Sequence, residues 1–73
     1  MVKLYSKPGC GQCIATKRDL DRIKADYEYI DVSKDPDAFE YLVSKGLMQM
    51  PVVETPDDVW SGYNSEKIES LVA

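Results

Sequence analysis

The run Cys10-Gly11-Gln12-Cys13 combines residue types and a spacing that can carry covalent chemistry. Two cysteines three positions apart at the start of a helix put both sulfurs on one face, at a Cα separation that a disulfide accepts. Such a pair can cycle between dithiol and disulfide. With Cys10 at the helix N-terminus, unpaired backbone N–H groups and the positive end of the helix dipole favour its thiolate, the nucleophilic form, so its pKa is expected to fall. The dipole is worth roughly 0.3–1 kcal/mol, which is less than one pKa unit at ~1.36 kcal/mol per unit. Any larger shift must come from N–H donation to the sulfur and from the charge of Lys7.

The chain has no histidine, which removes a Cys-His protease-like mechanism. Three other uses of the cysteines stay open beside a redox pair. A structural zinc site needs about four ligands, and the cysteines supply half of one. A structural disulfide over so short a loop restricts the unfolded chain little. Two inert buried thiols are the third. The strand-to-helix setting favours the redox pair, which needs no metal and no cofactor.

That setting follows from the flanking residues. Val2 to Tyr5 is β-branched and aromatic and stops at the turn-forming Ser6-Lys7-Pro8-Gly9, so it predicts a strand. From Gly11 to Lys24, Cys13, Thr16, Leu20 and Ile23 recur at helical steps, with Lys17, Arg18, Asp21 and Arg22 on the wet side. Tyr27 to Val32 predicts a second strand, parallel to the first through a helical crossover in a βαβ unit. Asp35-Pro36 predicts a helix start by N-cap and first-turn proline; Phe39, Leu42 and Val43 are expected to face inward, and Gly46 to end the helix. Pro51 to Glu54 and Val59-Trp60 predict a hairpin around Thr55-Pro56-Asp57-Asp58. Asn64 or Ser65 caps a last helix carrying Ile68, Leu71 and Val72. The element order is then β-α-β-α-β-β-α, an α/β fold.

The bulk numbers limit the alternatives. Seventy-three residues are expected to form one domain, spanning 1–73, that buries about 60% of its unfolded surface. Hydrophobic residues make up 44% and charged residues 30%, a globular balance. A formal charge of −4 with no basic cluster argues against nucleic acid. No apolar run approaches the ~20 residues that span a bilayer, and no signal-like segment precedes the first strand, so a cytoplasmic location is expected. Lys17, Arg18, Arg22 and Lys24 make the first helix comparatively basic, a face for an acidic partner.

Ser6-Lys7-Pro8-Gly9-Cys10-Gly11-Gln12-Cys13, Met50-Pro51-Val52-Val53 and Trp60-Ser61-Gly62-Tyr63 together resemble a glutaredoxin-like redoxin of the NrdH type. Pro51 follows Cys13 by 38 residues and Trp60 follows it by 47, so the resemblance spans nearly the whole chain. It implies a thioredoxin-like fold with a four-stranded mixed sheet of order 2-1-3-4 and three flanking helices. It implies a cis peptide before Pro51, beside the cysteines, where the backbone at Met50 pairs with an extended substrate segment. On its own, Pro51 would read as the first residue of a strand, where the missing N–H does no harm.

The same resemblance implies a thiol-disulfide oxidoreductase with Cys10 and Cys13 as catalytic residues. Lys7, Gly11, Gln12, Met50, Pro51, Trp60, Ser61, Gly62 and Tyr63 would form the substrate and partner surface, although Trp60 alone reads as a core aromatic and Lys7 as a solvated charge. Implied partners are thioredoxin reductase as reductant and ribonucleotide reductase as substrate, with the protein acting as a monomer. The chain departs from the NrdH pattern at Asn64-Ser65, where Arg-Pro is common. It departs from glutathione-using glutaredoxins at Gly11-Gln12, in place of Pro-Tyr, and in lacking a Gly-Gly-x-Asp segment. A glutathione-dependent glutaredoxin, a carrier of a metal or iron-sulfur cluster through Cys10, and an adaptor using Trp60 and Tyr63 are the rival readings.

Overall fold

The computed structural model describes residues 1–72. Its elements are β1 (Val2–Ser6), α1 (Gly11–Arg22), β2 (Tyr27–Asp31), α2 (Pro36–Ser44), β3 (Val52–Glu54), β4 (Val59–Ser61) and α3 (Ser65–Glu69), in the expected order. They form one sheet of order β2-β1-β3-β4. β1 runs parallel to β2 and antiparallel to β3, and β3 and β4 make the hairpin, closed by Thr55 N–H donating to the Asp58 carbonyl at 2.8 Å. Among the described residues no helix is long and apolar enough to cross a membrane.

β1 is central and buries both faces, because successive strand residues point to opposite sides. Tyr5 joins Val52, Leu42, Val32, Met50 and both cysteines in a core on the α2 side. Leu4 joins Val53, Trp60, Leu20 and Ile68 in a second core, where α1 packs against α3. Its first turn gives α1 a residue in the other core, Cys13, so one helix ties both layers to the cysteines.

Helix ends follow local chemistry. Asp35 caps α2, accepting from Ala38 N–H at 3.1 Å, with Pro36 at the first helical position. At the other end Gly46 (φ 72°) donates to the Val43 carbonyl and Leu47 to that of Leu42, the paired bonds of a Schellman cap. The same bonds end α1, from Lys24 to Asp21 and from Ala25 to Leu20, with Lys24 at φ 57°. The expected run to Lys24 was therefore two residues too long, since a lysine in the left-handed position gives no stop signal.

Two expectations about buried faces are corrected. Phe39 and Val43 are 44% and 45% exposed, while Leu42 is 1% exposed and Ala38 is partly buried. α2 thus meets the core along the 38–42 line, and Phe39 and Val43, each one residue and about 100° further round the helix, turn toward solvent. α3 ends at Glu69, and Val72 is exposed beyond it, while Leu71 packs against the second core.

Candidate active site

Cys10 is the N-cap of α1. Its backbone is extended (φ −107°, ψ 105°), and its sulfur accepts the N–H of Cys13 at 3.1 Å, the bond that Ser or Asp usually makes at that position. The geometry arises because Gly9, at φ 71°, turns the chain out of β1 and into the helix within a few residues. Capping and nucleophile are thus one group: the donor that starts the helix also points at the sulfur that must carry charge.

The two cysteines form a disulfide with a Cα separation of 5.2 Å, so the structure is the oxidised form. Both cysteines are buried, Cys10 at 8% and Cys13 at 3% exposure. Cys10 Sγ also lies 3.9 Å from the carbonyl oxygen of Met50. In the disulfide the sulfur has no proton for that contact; in the dithiol the S–H can donate.

Met50-Pro51 is the cis peptide, and both residues are buried beside the cysteines. The turn after β4 closes on the same spot. Gly62 (φ 83°) donates its N–H to the Pro51 carbonyl at 2.7 Å, and Tyr63 donates its N–H to Gln12 Oε1 at 3.4 Å. Segments 10–13, 50–51 and 62–63 are therefore brought together from three parts of the chain. Gly11, Gln12, Ser61 and Tyr63 face solvent, and Lys7 stands exposed in the loop leading to Cys10.

Trp60 takes its core reading. It is 8% exposed and packs in the second core, with Lys67 Nζ 5.3 Å from its ring centre and in turn paired to Asp58 at 2.9 Å. The exposed members of the turn are Ser61 and Tyr63. Asn64, where the sequence departs from Arg-Pro, accepts from Lys67 N–H at 3.1 Å and so caps α3.

The basic face expected on α1 is internally compensated. Lys17 pairs with Asp21 at 3.0 Å, and Arg22 pairs with Glu69 and, at 3.9 Å, with Asp19. Sequence reasoning missed Asp19, which is 6% exposed and accepts a hydrogen bond from the Tyr63 hydroxyl. The available signal was positional: residue 19 follows Thr16 by three and falls on the helix face that buries Thr16 and Leu20. A cleft of about 450 Å³ lies elsewhere, on the α2 side, between Tyr5, Tyr41, Glu54 and Asp35, and includes neither cysteine.

The glutaredoxin family model matches residues 2–60. The chain belongs to the glutaredoxin family. Within it, the sequence is 39% identical over 70 residues to the glutaredoxin-like protein NrdH of Escherichia coli (strain K12), covering 96% of this chain and 86% of that one. The solved structure of the glutaredoxin-like NrdH-redoxin from Escherichia coli superposes with a TM-score of 0.92 at 38% identity, over 96% of this chain and 92% of the other. A glutaredoxin from Archaeoglobus fulgidus gives a TM-score of 0.84 at 31% identity, over 97% of this chain and 84% of that one. The fold is thioredoxin-like, and the protein is a glutaredoxin-like thiol-disulfide oxidoreductase of the NrdH type.

Proposed function

We propose that this glutaredoxin-family protein is a cytoplasmic, monomeric protein-disulfide reductase that passes electrons from thioredoxin reductase to ribonucleotide reductase. In the reaction the Cys10 thiolate attacks one sulfur of a substrate disulfide, forms a mixed disulfide and releases the first substrate thiolate. The Cys13 thiolate then attacks Cys10, closes the disulfide seen here and releases the second. Two electrons move from the redoxin to the substrate, whose thiolates take up two protons. NADPH, through thioredoxin reductase, restores the dithiol.

The observation that carries this reading is the capped sulfur of Cys10, held 3.1 Å from the Cys13 amide and 3.9 Å from the Met50 carbonyl. An N–H aimed at the sulfur stabilises the thiolate, and an extended segment pairing at Met50 would carry its own disulfide to that sulfur. Gly11-Gln12 between the cysteines supports thioredoxin reductase over glutathione as reductant. The Escherichia coli relative is described by a thioredoxin-like activity profile, which favours the same choice.

The test is insulin-disulfide reduction with NADPH and thioredoxin reductase, run beside glutathione with glutathione reductase. Turnover is expected in the first system, with loss in Cys10→Ser. Cys13→Ser is expected to stall as a mixed disulfide, and capture of ribonucleotide reductase by that variant from lysate would identify the substrate. No turnover with thioredoxin reductase, or full turnover in Cys10→Ser, would refute the proposal.

A further inference from the structure

Asp19 is a buried carboxylate on the face of α1 that also buries Cys13, Thr16 and Leu20. Removing a carboxylate from water is costly unless hydrogen bonds and opposite charge replace the lost solvation. Oδ2 accepts from the Tyr63 hydroxyl, and Oδ1 faces Arg18 Nε at 3.6 Å and Arg22 Nη2 at 3.9 Å. The hydroxyl of Tyr63 and then the two arginines hold the Asp19 carboxyl below its ordinary value, and the same bond raises the Tyr63 phenol. Asp19 is therefore a charged acceptor, and its direct partner is the Tyr63 side chain.

Tyr63 is 39% exposed, yet it is held at both ends. Its N–H donates to Gln12 in the first turn of α1, and its hydroxyl to Asp19, seven residues along the same helix. Seven residues are two turns, about 10 Å, so both attachments lie on one face. An exposed aromatic ring is thus pinned along the helix whose N-terminus carries the disulfide.

We infer that Asp19 is a positioning residue for partner docking: by fixing the Tyr63 hydroxyl it holds an exposed aromatic ring in one orientation along the helix that carries the Cys10–Cys13 pair. This rests on the proposed function, since it concerns how a protein partner meets that pair. Rigid aromatic side chains serve as interface anchors because they bury large area at low entropic cost. Pre-ordering one such side chain is worth about a two- to tenfold change in KM.

The test measures kcat and KM for thioredoxin reductase with NADPH in wild type, Asp19→Ala, Asp19→Asn, Tyr63→Phe and the Asp19→Ala/Tyr63→Phe double variant. The reaction of the reduced Asp19 variants with a small aromatic disulfide, which needs no docking, is followed in parallel. Asp19→Ala and Tyr63→Phe are each expected to raise KM about two- to tenfold, with no further rise in the double variant. Asp19→Asn keeps an acceptor oxygen and is expected to recover most of the loss, and the small-disulfide rate in Asp19→Ala stays that of wild type. An unchanged KM in Asp19→Ala, effects that multiply in the double variant, or an equal loss with the small disulfide would overturn the inference. Should Asp19→Ala fail to fold, Tyr63→Phe, altered only at an exposed ring's hydroxyl, decides by the same KM comparison. A wild-type protein that the reductase does not turn over would instead refute the proposed function.

Discussion

Gly62→Ala tests whether the turn after β4 belongs to the site. Gly62 sits at φ 83°, where a residue with a Cβ is strained by roughly 1–2 kcal/mol. The added Cβ would meet only Gln12 Oε1, at 3.9 Å, an ordinary contact, so backbone strain dominates. Gly46, at φ 72° with nothing within 4 Å of its Cβ position, is the matched control. At roughly 0.05–0.15 kcal/mol per residue the fold is worth about 4–11 kcal/mol, so both variants remain folded.

With a urea slope near 1 kcal/mol per molar, each alanine is expected to lower the denaturation midpoint by about 1–2 M. Function should separate them. Strain at position 62 is relieved by moving the turn, which lengthens the Gly62–Pro51 and Tyr63–Gln12 bonds; strain at position 46 lies at the end of α2. KM for thioredoxin reductase should therefore rise in Gly62→Ala and stay unchanged in Gly46→Ala. An equal rise in both would attribute the effect to global stability, and a wild-type midpoint in Gly62→Ala would refute the strain argument.

Lys24→Gly is expected to stabilise the protein by up to about 1 kcal/mol in urea unfolding, because it relieves a left-handed lysine in the cap that α2 builds with glycine. Leu20→Ala, which empties a fully buried site behind α1, is expected to cost about 2–5 kcal/mol by the same measurement, while the folded fraction keeps its reaction with a small disulfide. Urea midpoints measured against pH should fall at both extremes. Hydrogen bonds from Tyr63, Tyr27, Ser33 and Lys67 hold the carboxyls of Asp19, Asp21, Asp31 and Asp58 low, so their contribution is complete above the unfolded value near ~4 and is lost as pH drops below it. Burial, then Glu54, pushes Tyr5 up to about 12. Its neutral form thus supports the fold up to pH ~10, and that support is lost between pH ~10 and about 12. A flat acid limb or a flat alkaline limb would remove the corresponding argument.

What the sequence determined by itself was local. The cysteine spacing, the Asp35-Pro36 start and the Gly46 stop each depend on hydrogen bonds or periodicity within a few residues, so residue types report them directly. Even there, Lys24 ended α1 without a glycine to announce it, and the narrow seat of α2 left Phe39 and Val43 in solvent. Tertiary structure decided what met across the chain: the Met50 carbonyl beside a sulfur 40 residues away, Tyr63 on Gln12 and Asp19, and Trp60 in the core. Those meetings depend on strand order and register, which set where distant segments lie; a one-residue slip would turn each side chain to the opposite face.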